Sequence, residues 1–336
     1  MLQKTDVISG TVKLNTSRLR QRFRRQLLEW YREHRRPLPW REASDPYAIW
    51  VSEIMLQQTR VAVVLSYYER FLKSFPTVRD LALAQEPKVL ASWSGLGYYR
   101  RARMLHRAAQ AVAAERGGSL PRLSSELQLL PGIGRYTANA IASIAFGEPV
   151  AVVDGNVERV LERVMGSSFV GRTVWSAAQD LLDPEQPGDF NQAMMELGAT
   201  VCVPGLPLCS DCPVKGMCAS RGLKPEISKT TEQRLRKSAN LALLRRGRTV
   251  GLSRRADNER LMPGMWELPQ VRRKSSAEPL LRVRHSITNT DWSVSVFKTN
   301  RIPVDHRIHW ISLSQVSRLP LTGLTRKILR KLNLLA

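Results

Sequence analysis

Cysteine is scarce and confined: the 336-residue chain has four, Cys202, Cys209, Cys212 and Cys218, and none outside that short stretch. This excludes a disulfide framework and marks a single metal site of four thiolates in a reducing compartment. The spacing C-x6-C-x2-C-x5-C suits either a four-cysteine zinc site or a [4Fe-4S] cluster, and spacing alone leaves that choice open. Long apolar runs are also missing. No stretch approaches the length of a membrane span and the N-terminus lacks the apolar core of a secretory signal, so the chain is expected to be soluble and intracellular, with no membrane partner. Acidic residues are in short supply: 29 Asp+Glu face 52 Lys+Arg, a net charge of +23. Such an excess goes beyond what solubility needs and points to a polyanion as partner. It is unevenly placed, since residues 1–220 hold 27 Lys+Arg against 21 Asp+Glu and the remaining +17 falls in residues 221–336.

A hydrophobic content of 43% supports real cores, and the length suits two or three domains. The first seventeen residues are polar without periodicity and read as a tail. Phe23, Leu27 and Trp30 recur at helical spacing, followed by Arg35 to Arg41, which reads as a loop. Asp45-Pro46 then opens an apolar helix whose only interior charge is Glu53. A carboxyl flanked by Trp50, Ile54 and Leu56 is expected to be desolvated, with a raised pKa that keeps a proton available near neutral pH. Val61 to Leu72 gives an amphipathic helix. Ser92 to Arg103 differs in kind, because glycines, Tyr98-Tyr99 and arginines interleave as on a surface that distorts DNA.

The chain is organised around Leu129 to Ile141. A helix ending at Leu130 would meet Pro131-Gly132, and a second helix restarts from Tyr136, which makes a helix-hairpin-helix. Gly132 and Gly134 supply turn geometry and bare N–H groups at a helix N-terminus, where with Arg135 they can hold a DNA backbone without reading bases. Asp154 precedes a helix carrying Val157, Val160, Leu161 and Val164; capping would fix its carboxylate and keep it ionised. Phe190 to Leu197 marks another helix, with Glu196 beside its apolar stripe. Residues 18–200 are therefore a helical catalytic region, 201–220 the cysteine loop and 221–238 a linker. Residues 239–336 form an α+β domain, with strands expected at 239–244, 249–252, 266–271 and 292–297 and a closing helix over 321–332.

These residues together resemble the helix-hairpin-helix DNA glycosylases of the adenine-removing, MutY type. The match runs through Leu38-Pro39-Trp40-Arg41, Trp50 to Thr59, Gly95-Leu96-Gly97-Tyr98-Tyr99, the hairpin, Val153-Asp154-Gly155-Asn156, Asn191 to Glu196 and the cysteine spacing. The resemblance implies that the four cysteines hold a [4Fe-4S] cluster. It also implies a monomer that hydrolyses the N-glycosidic bond of adenine mispaired with 8-oxoguanine or guanine in double-stranded DNA, in the cytoplasm if the source is bacterial. Two carboxylates about a glycosidic bond suit an oxocarbenium-like transition state. Glu53 would protonate the flipped base and Asp154 would stabilise the cationic sugar, with Tyr136 and Asn156 polarising the site. Arg41, Leu56 and Glu196 would line the adenine pocket, and Gln58, Thr59 and Tyr98 would fill or wedge the space near the lesion. In the endonuclease III type a lysine stands where this chain has Tyr136, so a monofunctional enzyme without strand cleavage is expected.

The C-terminal region resembles the Nudix-like lesion-recognition domain of the same family, through Gly264 to Pro269 and Arg284-His285-Ser286. Gln270-Val271-Arg272-Arg273-Lys274 stands where an acidic Nudix box would hold magnesium, so this domain should bind and not cut. Ile287-Thr288-Asn289 replaces the family's Phe-Ser-His reading loop, and Thr288 keeps a hydroxyl for hydrogen bonding. The rival of another class is a mispair-binding protein without chemistry, against which Glu53 and Asp154 both argue.

Overall fold

The computed structural model describes residues 14, 16–166, 172–220, 234–259, 261–271, 278–287, 289–301 and 307–335. Helices dominate up to the cysteines: α1 (Ser17–His34), α2 (Pro39–Glu42), α3 (Pro46–Leu56), α4 (Val61–Ser74), α5 (Val78–Leu83), α6 (Glu86–Trp93), α7 (Arg100–Arg116), α8 (Ser124–Leu127), α9 (Arg135–Phe146), α10 (Gly155–Met165), α11 (Arg172–Leu181) and α12 (Pro187–Thr200). Six strands and two helices follow: β1 (Leu235–Arg246), β2 (Thr249–Arg254), β3 (Trp266–Glu267), β4 (Leu281–Ile287), β5 (Thr290–Lys298), β6 (Ile308–Ser312), α13 (Leu313–Val316) and α14 (Gly323–Lys331). The chain divides into two compact units, each built from two separate stretches: Met1–Glu53 with Ser119–Lys229, and Ile54–Gly118 with Thr230–Ala336.

The first unit is helical. Phe23, Leu27 and Tyr31 stand one turn apart on α1 and share a core with Val160, Leu161 and Val164 of α10 and with Phe190, Met194 and Leu197 of α12. This is the i, i+4 stripe that directs one helix face inward. Leu14, inside the span read as a tail, is buried in that core, and the Thr16 hydroxyl caps α1 by accepting from the Leu19 N–H at 3.3 Å. The loop expected over residues 35–41 is instead interrupted by α2, where Pro39 sits in the first turn. Proline is tolerated there because the first N–H groups of a helix have no partner within it. The helix expected to reach Leu130 stops at Leu127, and the chain turns through residues 128–130 before the glycines.

The second unit joins α4–α7 to the sheet region. Phe71, Phe75 and Trp93 pack ring to ring in its helical part, with centroids 4.9 and 5.7 Å apart. The sheet runs β3-β2-β1-β5-β4, with β6 pairing β2. The long strand β1 lies parallel to β5 and antiparallel to β2. Strand β4 was missed although Leu281, Val283 and Ile287 alternate with the exposed Arg282, Arg284 and Ser286; β6 was missed because all five of its residues are half-buried and its apolar positions do not alternate. The expected strand over 266–271 is covered by β3 only at Trp266–Glu267; the Leu268 N–H turns to the Thr325 hydroxyl at 3.1 Å, and Gln270 bridges Leu241 of β1. Of the residues called linker, 221–233 lie outside the described residues and Leu235 onward is already β1. Within this unit the sheet region is fastened to the helices at Ser94, whose hydroxyl donates to the Leu321 carbonyl at 2.7 Å, and at Tyr99, whose hydroxyl reaches the same carbonyl at 3.1 Å.

Candidate active site

Helix α3 is apolar on all sides and buried along most of its length, including Tyr47, Trp50, Val51 and Met55. A helix of that composition is a core element, and it carries Glu53 inward, 6% exposed. Burial pushes the Glu53 carboxyl up to about 7; a hydrogen bond with Tyr136 and the charge of Arg41 oppose the shift, while the charge of Asp154 adds to it. Its Oε2 is buried with no hydrogen-bond partner among the described residues. Tyr136, in the first turn of α9, is held well above its usual range by burial first and by the charges of Glu53 and Asp154 second. Its hydroxyl also lies 3.4 Å from the Met195 sulfur.

Asp154 is the N-cap of α10. Its Oδ1 accepts from the N–H groups of Asn156 at 2.9 Å and Val157 at 2.8 Å, and its Oδ2 accepts from the Asn156 Nδ2 at 2.9 Å. Three donors fix the carboxylate at a helix N-terminus, where negative charge is favoured. Asn156 is held in turn by Arg159, whose Nη2 donates to the Asn156 Oδ1 and to the Gly198 carbonyl, each at 2.7 Å, while its Nε donates to the Cys202 carbonyl at 2.8 Å. Gly198 is the point of closest approach between α10 and α12: a Cβ built there would stand 2.6 Å from the Asn156 Cβ.

Glu196 is buried as well, yet in the opposite state. Arg36 donates through Nε to Oε1 at 2.8 Å and through Nη2 to Oε2 at 2.7 Å, and the Arg41 Nη2 reaches Oε2 at 2.6 Å. Burial acts to raise its pKa, but these bonds outweigh it and hold the carboxyl at about 2. Both oxygens of Glu196 are therefore engaged, and what it does is fix two guanidinium groups. Arg36, Arg159 and Arg163 were not singled out from sequence. Their partners lie far along the chain or in a backbone carbonyl, and the one local signal was the four-residue spacing of Arg159 and Arg163 behind Asp154.

The hairpin turns at Gly132, with φ +77, a conformation that L side chains resist. Gly134 is the N-cap of α9 at φ −89, which any residue can adopt; its value lies in presenting the first-turn N–H groups without a side chain. Arg135 stacks on Trp175, its guanidinium carbon 4.0 Å from the ring centroid. All four cysteines are free and line one cavity with Val160, Arg163 and Val214. The Arg163 Nη1 lies 3.3 Å from the Cys202 sulfur, and the Cys218 thiol donates to the Arg163 carbonyl at 3.2 Å. Four free thiols around a shared, mostly apolar cavity fit a four-thiolate group, although among the described residues no three side chains converge as the ligands of one ion.

Leu56, Gln58, Thr59 and Tyr98 belong to the second unit. Leu56 ends α3, while Gln58 and Tyr98 have positive φ, +53 and +47. The tyrosine pair is divided: Tyr98 is 45% exposed and Tyr99 is buried. Thr288 lies outside the described residues; Ile287 pairs with Thr290 where β4 and β5 meet.

A glycine-turned hairpin that presents bare N–H groups, in one compact unit with a desolvated acid and a capped carboxylate, defines a protein of the helix-hairpin-helix class. Residues 51–170 match the family model of the HhH-GPD superfamily of base excision DNA repair proteins. The chain is 53% identical over 214 residues to the adenine DNA glycosylase of Homo sapiens, which covers 59% of this chain and 39% of that protein. It is 37% identical over 203 residues to the adenine DNA glycosylase of Buchnera aphidicola subsp. Baizongia pistaciae, covering 59% and 58%. The chain thus spans less than two thirds of these relatives' length. Among solved structures, a thermostable thymine-DNA glycosylase is 30% identical with a TM-score of 0.57, covering 60% of this chain and 96% of that one. Endonuclease III in a non-covalent DNA complex is 25% identical with a TM-score of 0.52 and the same coverage.

Proposed function

We propose that this chain is a monofunctional adenine DNA glycosylase acting on adenine opposite 8-oxoguanine or guanine in duplex DNA. The observation that carries the reading is Glu53, a buried carboxyl with a pKa of about 7 and one oxygen without a partner. Such a group is half protonated at neutral pH and has a free oxygen with which to meet a base. With the adenine flipped out of the duplex, Glu53 donates its proton to N7, the C1′–N9 bond breaks, and the base leaves neutral. Asp154, its carboxylate fixed by three N–H donors, faces the positive charge that develops on the sugar. Water then adds to C1′ and returns a proton to Glu53. Tyr136 orients the acid and offers no amine, so no Schiff base with the sugar can form and the abasic strand stays intact.

The relatives' names support the choice of adenine. Cys202, Cys209, Cys212 and Cys218 would hold a [4Fe-4S] cluster, which would tie the loop after α12 to α10. The basic sheet region would bind the strand opposite the adenine as a Nudix-like domain lacking its acidic box. The test is single-turnover cleavage of duplexes bearing A opposite 8-oxoguanine, A opposite G and A·T, scored with and without alkali. Breaks that appear only after alkali, fastest with 8-oxoguanine, support the reading. Breaks without alkali make it a lyase, and tight mispair binding with no base release makes it a recognition protein.

A further inference from the structure

In the second unit, the chain's own continuation meets only the last carbonyl of α3, through the Thr59 N–H to the Leu56 carbonyl at 3.2 Å, and the two carbonyls before it are met by a side chain. The Arg101 Nη1 donates to the Ile54 carbonyl at 2.7 Å and the Met55 carbonyl at 2.9 Å, and also to the Gln57 carbonyl. Its Nη2 donates to the Thr59 hydroxyl at 2.9 Å and approaches the Gly97 carbonyl at 3.4 Å. One planar fork thus grips both the turn after α3 and the loop before α7, a task for which a lysine has the wrong shape. Its guanidinium also lies 5.3 Å from the Tyr98 ring centroid and 5.6 Å from that of Trp93, which is cation–π distance.

Four non-glycine residues among those described have positive φ, and two of them, Gln58 and Tyr98, sit in the two segments that Arg101 joins. Each such conformation is strained and persists only where its surroundings over-determine it. The arrangement is expensive in a second way. Arg101 is buried enough to bring its pKa down to about 10, and its Nε has no partner among the described residues. A glycine at position 58 would end the helix with no strain and no buried cation. Helix capping alone does not account for the cost.

We propose that Arg101 is a positioning residue that locks Gln58 and Tyr98 into one rigid wedge, so that the two side chains together prise open the base stack at the mispair. The inference rests on the glycosylase reading above for the identity of the duplex. Apart from that it depends only on contacts within one compact unit. Gln58 supplies a flat amide and Tyr98 a half-exposed ring, the shapes that insert between base steps, and rigid placement is what makes insertion effective.

The test uses the full chain and a duplex with adenine opposite 8-oxoguanine and 2-aminopurine as the neighbouring base, whose fluorescence rises on unstacking. Arg101→Lys keeps the charge and removes the fork. It is expected to keep its fold by circular dichroism and to bind undamaged duplex as the parent does. It should lose most of the fluorescence rise and slow adenine release at saturating enzyme by about 10- to 100-fold. A folded Arg101→Lys that unstacks the duplex fully overturns the proposal and leaves Arg101 a helix cap. If that variant does not fold, Arg101→Gln decides: it keeps N–H donors for the α3 carbonyls without the fork, so reduced unstacking supports the proposal and undiminished unstacking overturns it. If the parent releases no adenine from any duplex, the glycosylase reading fails, while the fluorescence still reports on Arg101.

Discussion

Two glutamates lie buried in the same compact unit, and their surroundings have set them to opposite tasks. Glu196 meets two guanidinium groups that use both of its oxygens, and it stays ionised down to about pH 2. Glu53 meets one phenol, keeps an idle oxygen, and holds its proton up to about pH 7. Burial is common to both. The number of cationic donors separates them, turning one carboxyl into a structural anion and the other into an acid.

The comparison breaks most visibly on removing the acid. Glu53→Gln keeps the shape and cannot give up a proton, so adenine release under single-turnover conditions should fall by about 10³-fold or more; a fall below tenfold would remove Glu53 from the chemistry. If Glu53 is the acid proposed above, the parent's rate should be flat below pH 7 and fall about tenfold per unit above it.

Glu196→Gln attacks the other member. It leaves Arg36 and the buried Arg41 short of negative charge, and denaturant titration should show a loss of about 3 kcal/mol. The carboxyl's folded pKa is depressed, so its contribution is complete above the unfolded value of 4.5 and disappears as pH falls through about 2. The variant's stability should therefore depend less on pH in that window than the parent's.

The same linkage with reversed sign sharpens the contrast at Glu53. Its folded pKa is raised, so stability is complete below 4.5 and is lost as pH rises through about 7. Glu53→Gln should consequently be more stable than the parent at pH 8, by about 1–3 kcal/mol, and nearly equal to it at pH 4. Equal melting temperatures at both pH values would show that Glu53 is not desolvated.

The smallest effect is expected from Tyr136→Phe. Its hydroxyl lowers the Glu53 pKa, so removing it should shift the falling limb of the pH–rate profile to higher pH and slow the reaction by about tenfold. A limb that shifts toward acid would mean that Tyr136 stabilises the neutral carboxyl instead.

Much of this was legible in the sequence where the signal is local. An apolar helix interrupted by one glutamate announces a desolvated acid, an aspartate before an amphipathic helix announces a cap, and a PGIG turn announces the hairpin. The four cysteines announce a shared site for the same reason, since close spacing limits how far apart they can lie. Contacts between distant residues left no such trace. Nothing in Arg36 or Glu196 shows that they pair across 160 positions, and Arg101 looks like one more cation in a basic stretch until its carbonyl partners are seen. Strand β6 escaped because its half-buried residues show no alternation, whereas β4 alternates cleanly and was legible.

The close approach at Gly198 bears on how variation in this chain should be read. Glycine to alanine in the middle of a helix ordinarily passes as harmless, and by propensity it counts as an improvement. Here the added methyl would land 2.6 Å from the Cβ of Asn156, two residues from the capping carboxylate of Asp154. A carrier of that substitution would have a protein in which α10 must shift at Asn156, losing about 1–3 kcal/mol of stability and showing a defect that looks, kinetically, like damage to Asp154. The phenotype of an active-site lesion would arise from a residue that never meets the substrate.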